Sequence, residues 1–193
     1  MSGFKSEIIY DHYKETFQKQ VKYLSQRNKY FILLLGLGAV LFFQLTNLTS
    51  INNLIEGLIQ SNVSDSITLE VAFIHSFLIF TILWILMLYY QINRTISRQY
   101  KYLGKLETEL SNILTPFKFE REGRFYKFHI SWYERITKVI YAYLFPVFIL
   151  FTVIVSGIIN FRANNVLNLL TVFNFLIYGL IAIITLLYFI KRK

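Results

Sequence analysis

"VAFIHSFLIFTILWILMLYYQINRTISRQYKYLGKLETELSNIL", residues 71–114, reads as a single helix written in two chemistries. Residues 71–91 contain no Asp, Glu, Lys or Arg and are long enough to cross a bilayer core, which takes about 20 mostly apolar residues. From Arg94 onward charges return, while Ile96, Tyr100, Leu103, Leu106, Leu110 and Ile113 recur at spacings of three and four. That is close to the 3.5-residue period of a helix–helix seam. The pattern predicts a membrane span that continues out of the bilayer as an amphipathic helix. Thr115-Pro116 should end it, because proline disfavours helix in its predecessor.

Three further stretches, 30–48, 138–159 and 166–190, are also of spanning length and apolar character. The expected fold class is therefore an all-α integral membrane protein with four transmembrane helices, cytoplasmic helical extensions and a small cytoplasmic β-hairpin. A mean hydropathy of +0.46 with 18% aromatic residues agrees with that class and departs from ordinary soluble composition. None of the four reads as a cleavable signal peptide, since the first follows a charged segment and lacks a small-x-small cleavage pattern.

Basic residues set the orientation, because Lys and Arg are retained in cytoplasmic loops. Nineteen of the twenty lie before residue 30, between Arg94 and Lys138, or in the closing "KRK", and only Arg162 falls elsewhere. Both termini are thus expected to be cytoplasmic (N-in/C-in), with 49–70 external. The domain organisation follows: 1–29, a cytoplasmic amphipathic helix; 30–92, a transmembrane hairpin with the external loop; 93–137, a cytoplasmic helix plus β-hairpin; 138–193, a second transmembrane hairpin with a basic tail. The net charge of +9 is read as topology and attraction to anionic headgroups of the lipid bilayer, with no direct contact to nucleic acid. Abundant Phe, Tyr, Ile, Asn and Lys suit an AT-rich prokaryotic genome, and so an inner-membrane location.

In the N-terminal segment Phe4, Ile8 or Ile9, Tyr13, Phe17, Val21 and Leu24 form one apolar stripe, suited to the membrane interface or to the seam of 94–114. Further on, "FKFEREGRFYKF" (117–128) alternates apolar and charged residues around Glu122-Gly123. Such alternation predicts a hairpin, with glycine supplying the positive φ of a tight turn. An isolated ribbon is marginal in water, so it must rest on helices or lipid. It can serve as a structural cap, as a lipid contact, or as a partner- or ligand-binding site in which Arg121, Arg124, Lys127 and His129 hold phosphate or carboxylate.

Polar residues inside spans face the bundle or a water path. The fourth span carries Asn164, Asn168, Thr171, Asn174, Tyr178, Ala182 and Thr185 on one side. Of these, Asn168, Thr171, Asn174, Tyr178 and Thr185 are expected either to pack helices or to line a pore in a homo-oligomer. The third span adds Thr152, Ser156 and Asn160; Pro146 should kink it or free a carbonyl. Gly36 and Ala39 permit close approach in the first.

No enzyme is expected. The chain has no cysteine, no HExxH and no P-loop or dinucleotide-binding glycine pattern, and no catalytic residue, metal or cofactor is assigned. His75 and Glu70 fall on different helix faces, His12 and His129 are isolated, and each histidine reads as structural.

The series "RQYKYLGKLETEL", "FEREGRFYKF" and "IYAYLFPVFIL", within 98–150, resembles a pattern in small four-span prokaryotic membrane proteins. In layout the chain is similar to four-span effectors and sensors of anti-phage defence systems. That similarity implies a non-enzymatic, self-associating membrane protein that perturbs the membrane or senses an event there. The alternatives are a membrane anchor or scaffold that recruits a cytoplasmic protein partner, and a small transporter.

Overall fold

The computed structural model describes residues 2–46, 71–119, 121, 131–163 and 169–191. Among them are five α-helices and no strand: α1 Ser2–Thr46, α2 Val71–Ile113, α3 Trp132–Val139, α4 Phe145–Ala163 and α5 Leu169–Ile190. A π-helical segment, Ile140–Leu144, joins α3 to α4 without a break. The chain divides into two compact units, Met1–Lys29 with Tyr89–Ala142 and Tyr30–Leu88 with Tyr143–Lys193.

The first unit has an ordinary hydrophobic core. No proline or glycine interrupts α1 between Phe4 and Leu35, so nothing there breaks the helix. Its apolar stripe is rotated slightly from the expected one, since Ile9 is half-buried while Phe4, Ile8 and Val21 are exposed. Tyr13 packs with Leu103, Leu106 and Leu110 of α2, flanked by Ile9, Phe17 and Phe119. The Tyr13 hydroxyl also donates to Glu107 Oε1 at 3.1 Å, and Glu107 is fully buried. The seam residues of α2 thus pack against α1.

The expected β-hairpin is corrected at the end of α2. Thr115 Oγ1 donates to the Ser111 and Asn112 carbonyls, and the chain turns back at once through a Phe117 N–H to Leu114 carbonyl bond of 2.9 Å. The Phe119 N–H donates to Ser111 Oγ at 2.9 Å, while Ser111 donates to the Phe119 carbonyl at 3.1 Å. Both main-chain groups of Phe119 are therefore engaged by a side chain of α2, and its ring meets Tyr13 edge-on at 5.2 Å. Phe117 and Phe119, assigned by alternation to one strand, lie in a turn and a fold-back. The proposed turn at Glu122-Gly123 and the second strand lie outside the described residues.

At the other end of this unit, the Ser131 N–H donates to Glu134 Oε2 at 3.2 Å, the backbone half of a capping box that starts α3. The π-helical segment directly precedes Phe145-Pro146. In a π turn the Tyr141 carbonyl would face the nitrogen of residue 146, and proline has no N–H to give. The Tyr89 hydroxyl donates to that carbonyl at 2.6 Å. Arg27 adds its guanidinium 4.1 Å above the Tyr141 ring.

The second unit reverses the usual burial. Phe73, Phe77, Phe80, Trp84 and Met87 of α2, Val147, Phe151, Ile154 and Ile158 of α4, and Leu176, Leu180, Ile183 and Leu186 of α5 are exposed. Gln44, Ser76, Thr152, Ser156, Thr171, Asn174 and Thr185 are buried. They lie among buried apolar residues such as Leu34, Leu41, Ile79, Leu86, Ile149 and Ile181, and an apolar exterior with the polar side chains turned inward is the arrangement hydrocarbon demands. Three described helices, Phe73–Ile113, Trp132–Ile159 and Leu169–Ile190, are long and apolar enough to cross a membrane. Among the described residues the expected count of four is corrected to three. The apolar part of α1 follows directly on Arg27-Asn28-Lys29 and carries Gln44, which lower its mean hydropathy.

Replacing Tyr13 by Phe keeps the packing but removes one donor to the buried Glu107. The substitution should lower stability by about 1–3 kcal/mol, read as a lower unfolding midpoint in detergent, and a loss equal to that of a surface Tyr10→Phe control would show that the bond contributes nothing.

Candidate functional site

His75 stands one turn into α2, half-buried, in a segment that is otherwise uncharged. Both of its ring nitrogens are engaged: Nδ1 lies 3.0 Å from Gln44 Oε1 of α1, and Nε2 lies 2.9 Å from the Tyr178 hydroxyl of α5. Tyr178 in turn lies 2.8 Å from Ser156 Oγ of α4. Four side chains from four helices, all within the second unit, form one hydrogen-bonded chain.

Each member is placed by local sequence. Gln44 shares a helix face with Leu34 and Leu41 of α1, all three buried, at the spacing that stacks side chains on one side. Ser156 follows Thr152 and Val153 on the buried face of α4. The Tyr178 ring lies beside its neighbour Gly157, where an added Cβ would make an ordinary contact at 3.5 Å from Cδ2. Phe175 meets the ring edge-on at 6.2 Å.

The α5 stripe read from sequence is buried at Thr171, Asn174, Tyr178 and Thr185, and its members do different things. Thr185 donates to the Ile181 carbonyl of its own helix, as Thr152 does to Phe148 on α4. Tyr178 is the member that reaches two other helices. Asn174, one turn before it, is 3% exposed and its Oδ1 has no hydrogen-bond partner. Asn168 lies outside the described residues.

The basic cluster is described at Arg121 alone, which is exposed with its guanidinium 5.9 Å over the Phe17 ring. Arg124, Lys127 and His129 lie outside the described residues, as does Glu70. His12 meets Tyr102 edge-on at 6.1 Å. Among the described residues no group of three His, Cys, Asp or Glu side chains is placed to hold a metal ion.

From the sequence, Tyr178 and Ser156 fall in separate stripes and His75 reads as structural. The structure brings them together, with Tyr178 between His75 and Ser156. The partners are 31, 103 and 22 residues apart in sequence, so periodicity along one helix could not reveal the pairing. The available signal was the rarity of ionisable residues inside a span.

Tyr178→Phe deletes the link at its centre, removing two interhelical bonds worth about 0.6–2 kcal/mol each. The detergent-solubilised variant should melt lower than both wild type and Ser156→Ala, which removes one; equal melting of all three would mean that the chain does not hold the helices. No protein-family model matches this chain, and no similar curated protein or solved structure was found.

Proposed function

We propose that the chain is a non-enzymatic membrane sensor or effector that works by rearranging its helices. The observation that carries this reading is the Gln44–His75–Tyr178–Ser156 chain, which links α1, α2, α4 and α5 inside a unit with an apolar exterior. Such a network is cooperative, and breaking one bond changes the others. A stimulus acting on any member is felt on four helices. His75 and Ser156 meet through Tyr178 rather than directly, an arrangement suited to coupling helices more than to activating a nucleophile.

Thr171, Asn174, Tyr178 and Thr185 are buried within one chain. That supports packing and coupling inside the protomer over a pore lined by several copies. The defence setting rests on likeness to four-span proteins, whereas among the described residues three helices are of spanning length. The anchor reading rests on the basic cluster, of which Arg121 is described and exposed.

For topology, the basic segment 94–138 and the basic tail are assigned to the cytoplasmic side of the cell inner membrane. Reporter fusions at Gly104 and after Lys193 should both read cytoplasmic, and an external reading for either would overturn the layout.

Asn174→Leu tests the function itself. It replaces a buried amide whose Oδ1 has no hydrogen-bond partner by an apolar side chain of similar size, which is neutral or stabilising if packing is all that matters. In liposomes the wild-type chain should support an ion leak and Asn174→Leu should not, with insertion and melting preserved. Absence of any leak from wild type would remove the effector reading, and equal leak from both would take Asn174 out of the mechanism.

A further inference from the structure

We propose that His75 is a proton-binding site, and that proton uptake reverses the hydrogen-bond chain and frees α5 from α2. The proposal rests on the reading of this unit as one that works by helix rearrangement, and it names the stimulus.

The direction of the chain follows from donor and acceptor chemistry. Gln44 offers an amide oxygen, which can only accept, so the proton of the neutral imidazole sits on Nδ1. Nε2 is then a bare lone pair, and Tyr178 must donate its hydroxyl hydrogen to it. The Tyr178 oxygen, having given its hydrogen away, accepts from Ser156. The neutral chain therefore runs Ser156 to Tyr178 to His75 to Gln44, every hydrogen pointing the same way.

A proton arriving at Nε2 makes both ring nitrogens donors. The Nδ1–H bond to Gln44 is untouched. Tyr178 can no longer donate to the ring, so its hydrogen must turn toward Ser156 Oγ, and the Ser156 hydrogen must turn to a carbonyl of its own helix, as serine in helices can. No bond between heavy atoms breaks in this step. One proton is taken from the surrounding water and held on Nε2.

What the step adds is a charge. The groups facing His75 are Gln44 from α1, Tyr178 from α5 and, through Tyr178, Ser156 from α4; of these only Tyr178 titrates. On the described parts of the second unit the residues with charged side chains are Arg162, six residues beyond Ser156, and Lys191 after α5, both basic. Among the described residues an imidazolium there gains no carboxylate to pair with, and an unpaired buried charge is costly. Water is the other source of solvation. His75 is half-buried and one turn from the start of α2, so the proton can reach it, and the charged form favours an arrangement in which α5 has moved away and water has entered.

The test uses the full chain in lipid nanodiscs, with ¹⁵N-labelled histidine observed by NMR. The chain contains three histidines, His12, His75 and His129, and H75Q identifies the signals of His75. Should H75Q fail to insert, the H12Q/H129Q double variant leaves His75 as the sole source. At neutral pH Nδ1 should be protonated and Nε2 bare. As the pH falls through and below the range of about 8 to 5 in which an unperturbed histidine changes charge, both nitrogens should become protonated. Amide exchange across 174–181 should then rise several-fold more in wild type than in H75Q. A bare Nδ1 with a protonated Nε2 at neutral pH overturns the proton site and leaves the leak assay to judge the function on its own. Proton uptake with α5 exchange unchanged overturns both the switch and the helix-rearrangement reading beneath it.

Discussion

Inside hydrocarbon a polar side chain has no water to turn to, and must find its partner in the protein. That constraint organises the second unit. Gln44, His75, Ser156 and Tyr178 each sit on a helix whose exposed positions are filled by Phe, Leu, Ile and Val, and each satisfies its polar atoms on another helix. Apolar contact alone drives little association in lipid, because the acyl chains are as apolar as leucine. The hydrogen-bonded chain supplies what the hydrophobic effect does not.

The first unit obeys the opposite rule. Tyr13, Leu103, Leu106 and Leu110 are withdrawn together, the ordinary consequence of removing apolar area from water. The one deeply buried acid among its described residues, Glu107, is met by the Tyr13 hydroxyl, so even here a buried polar atom is answered. Both long helices, α1 and α2, contribute residues to each unit, which is why one sequence pattern changes character partway along each of them.

What could be read from the sequence was whatever repeats along a single helix. The unbroken course of α2 from its apolar half into its charged half, the seam at Leu103, Leu106 and Leu110, and the polar stripe on α5 all follow from 3.6-residue periodicity acting locally. The hairpin failed because period-two alternation in 117–119 says nothing about Ser111, eight residues earlier, which takes both main-chain groups of Phe119. The fourth span fails among the described residues because the apolar run of α1 abuts a basic cluster and carries Gln44. The candidate site was legible only as isolated polar residues, since its connections join different helices and depend on their packing. At Pro146 the argument from a missing N–H led to a free carbonyl, and the structure adds the Tyr89 hydroxyl that bonds the carbonyl of Tyr141.

The reversed burial also bears on how such a chain changes over time. Lipid asks of an exposed side chain that it be apolar and is nearly indifferent to its shape, so Phe73, Phe77, Phe80 and Leu176 can drift freely among Phe, Leu, Ile, Val and Met. Descent from a common ancestor would then erase overall identity across the spans while sparing a few small polar positions. Kinship is better sought in a sparse signature: a glutamine, a histidine 31 residues on, and a tyrosine 103 residues after that, preceded by a serine at 22.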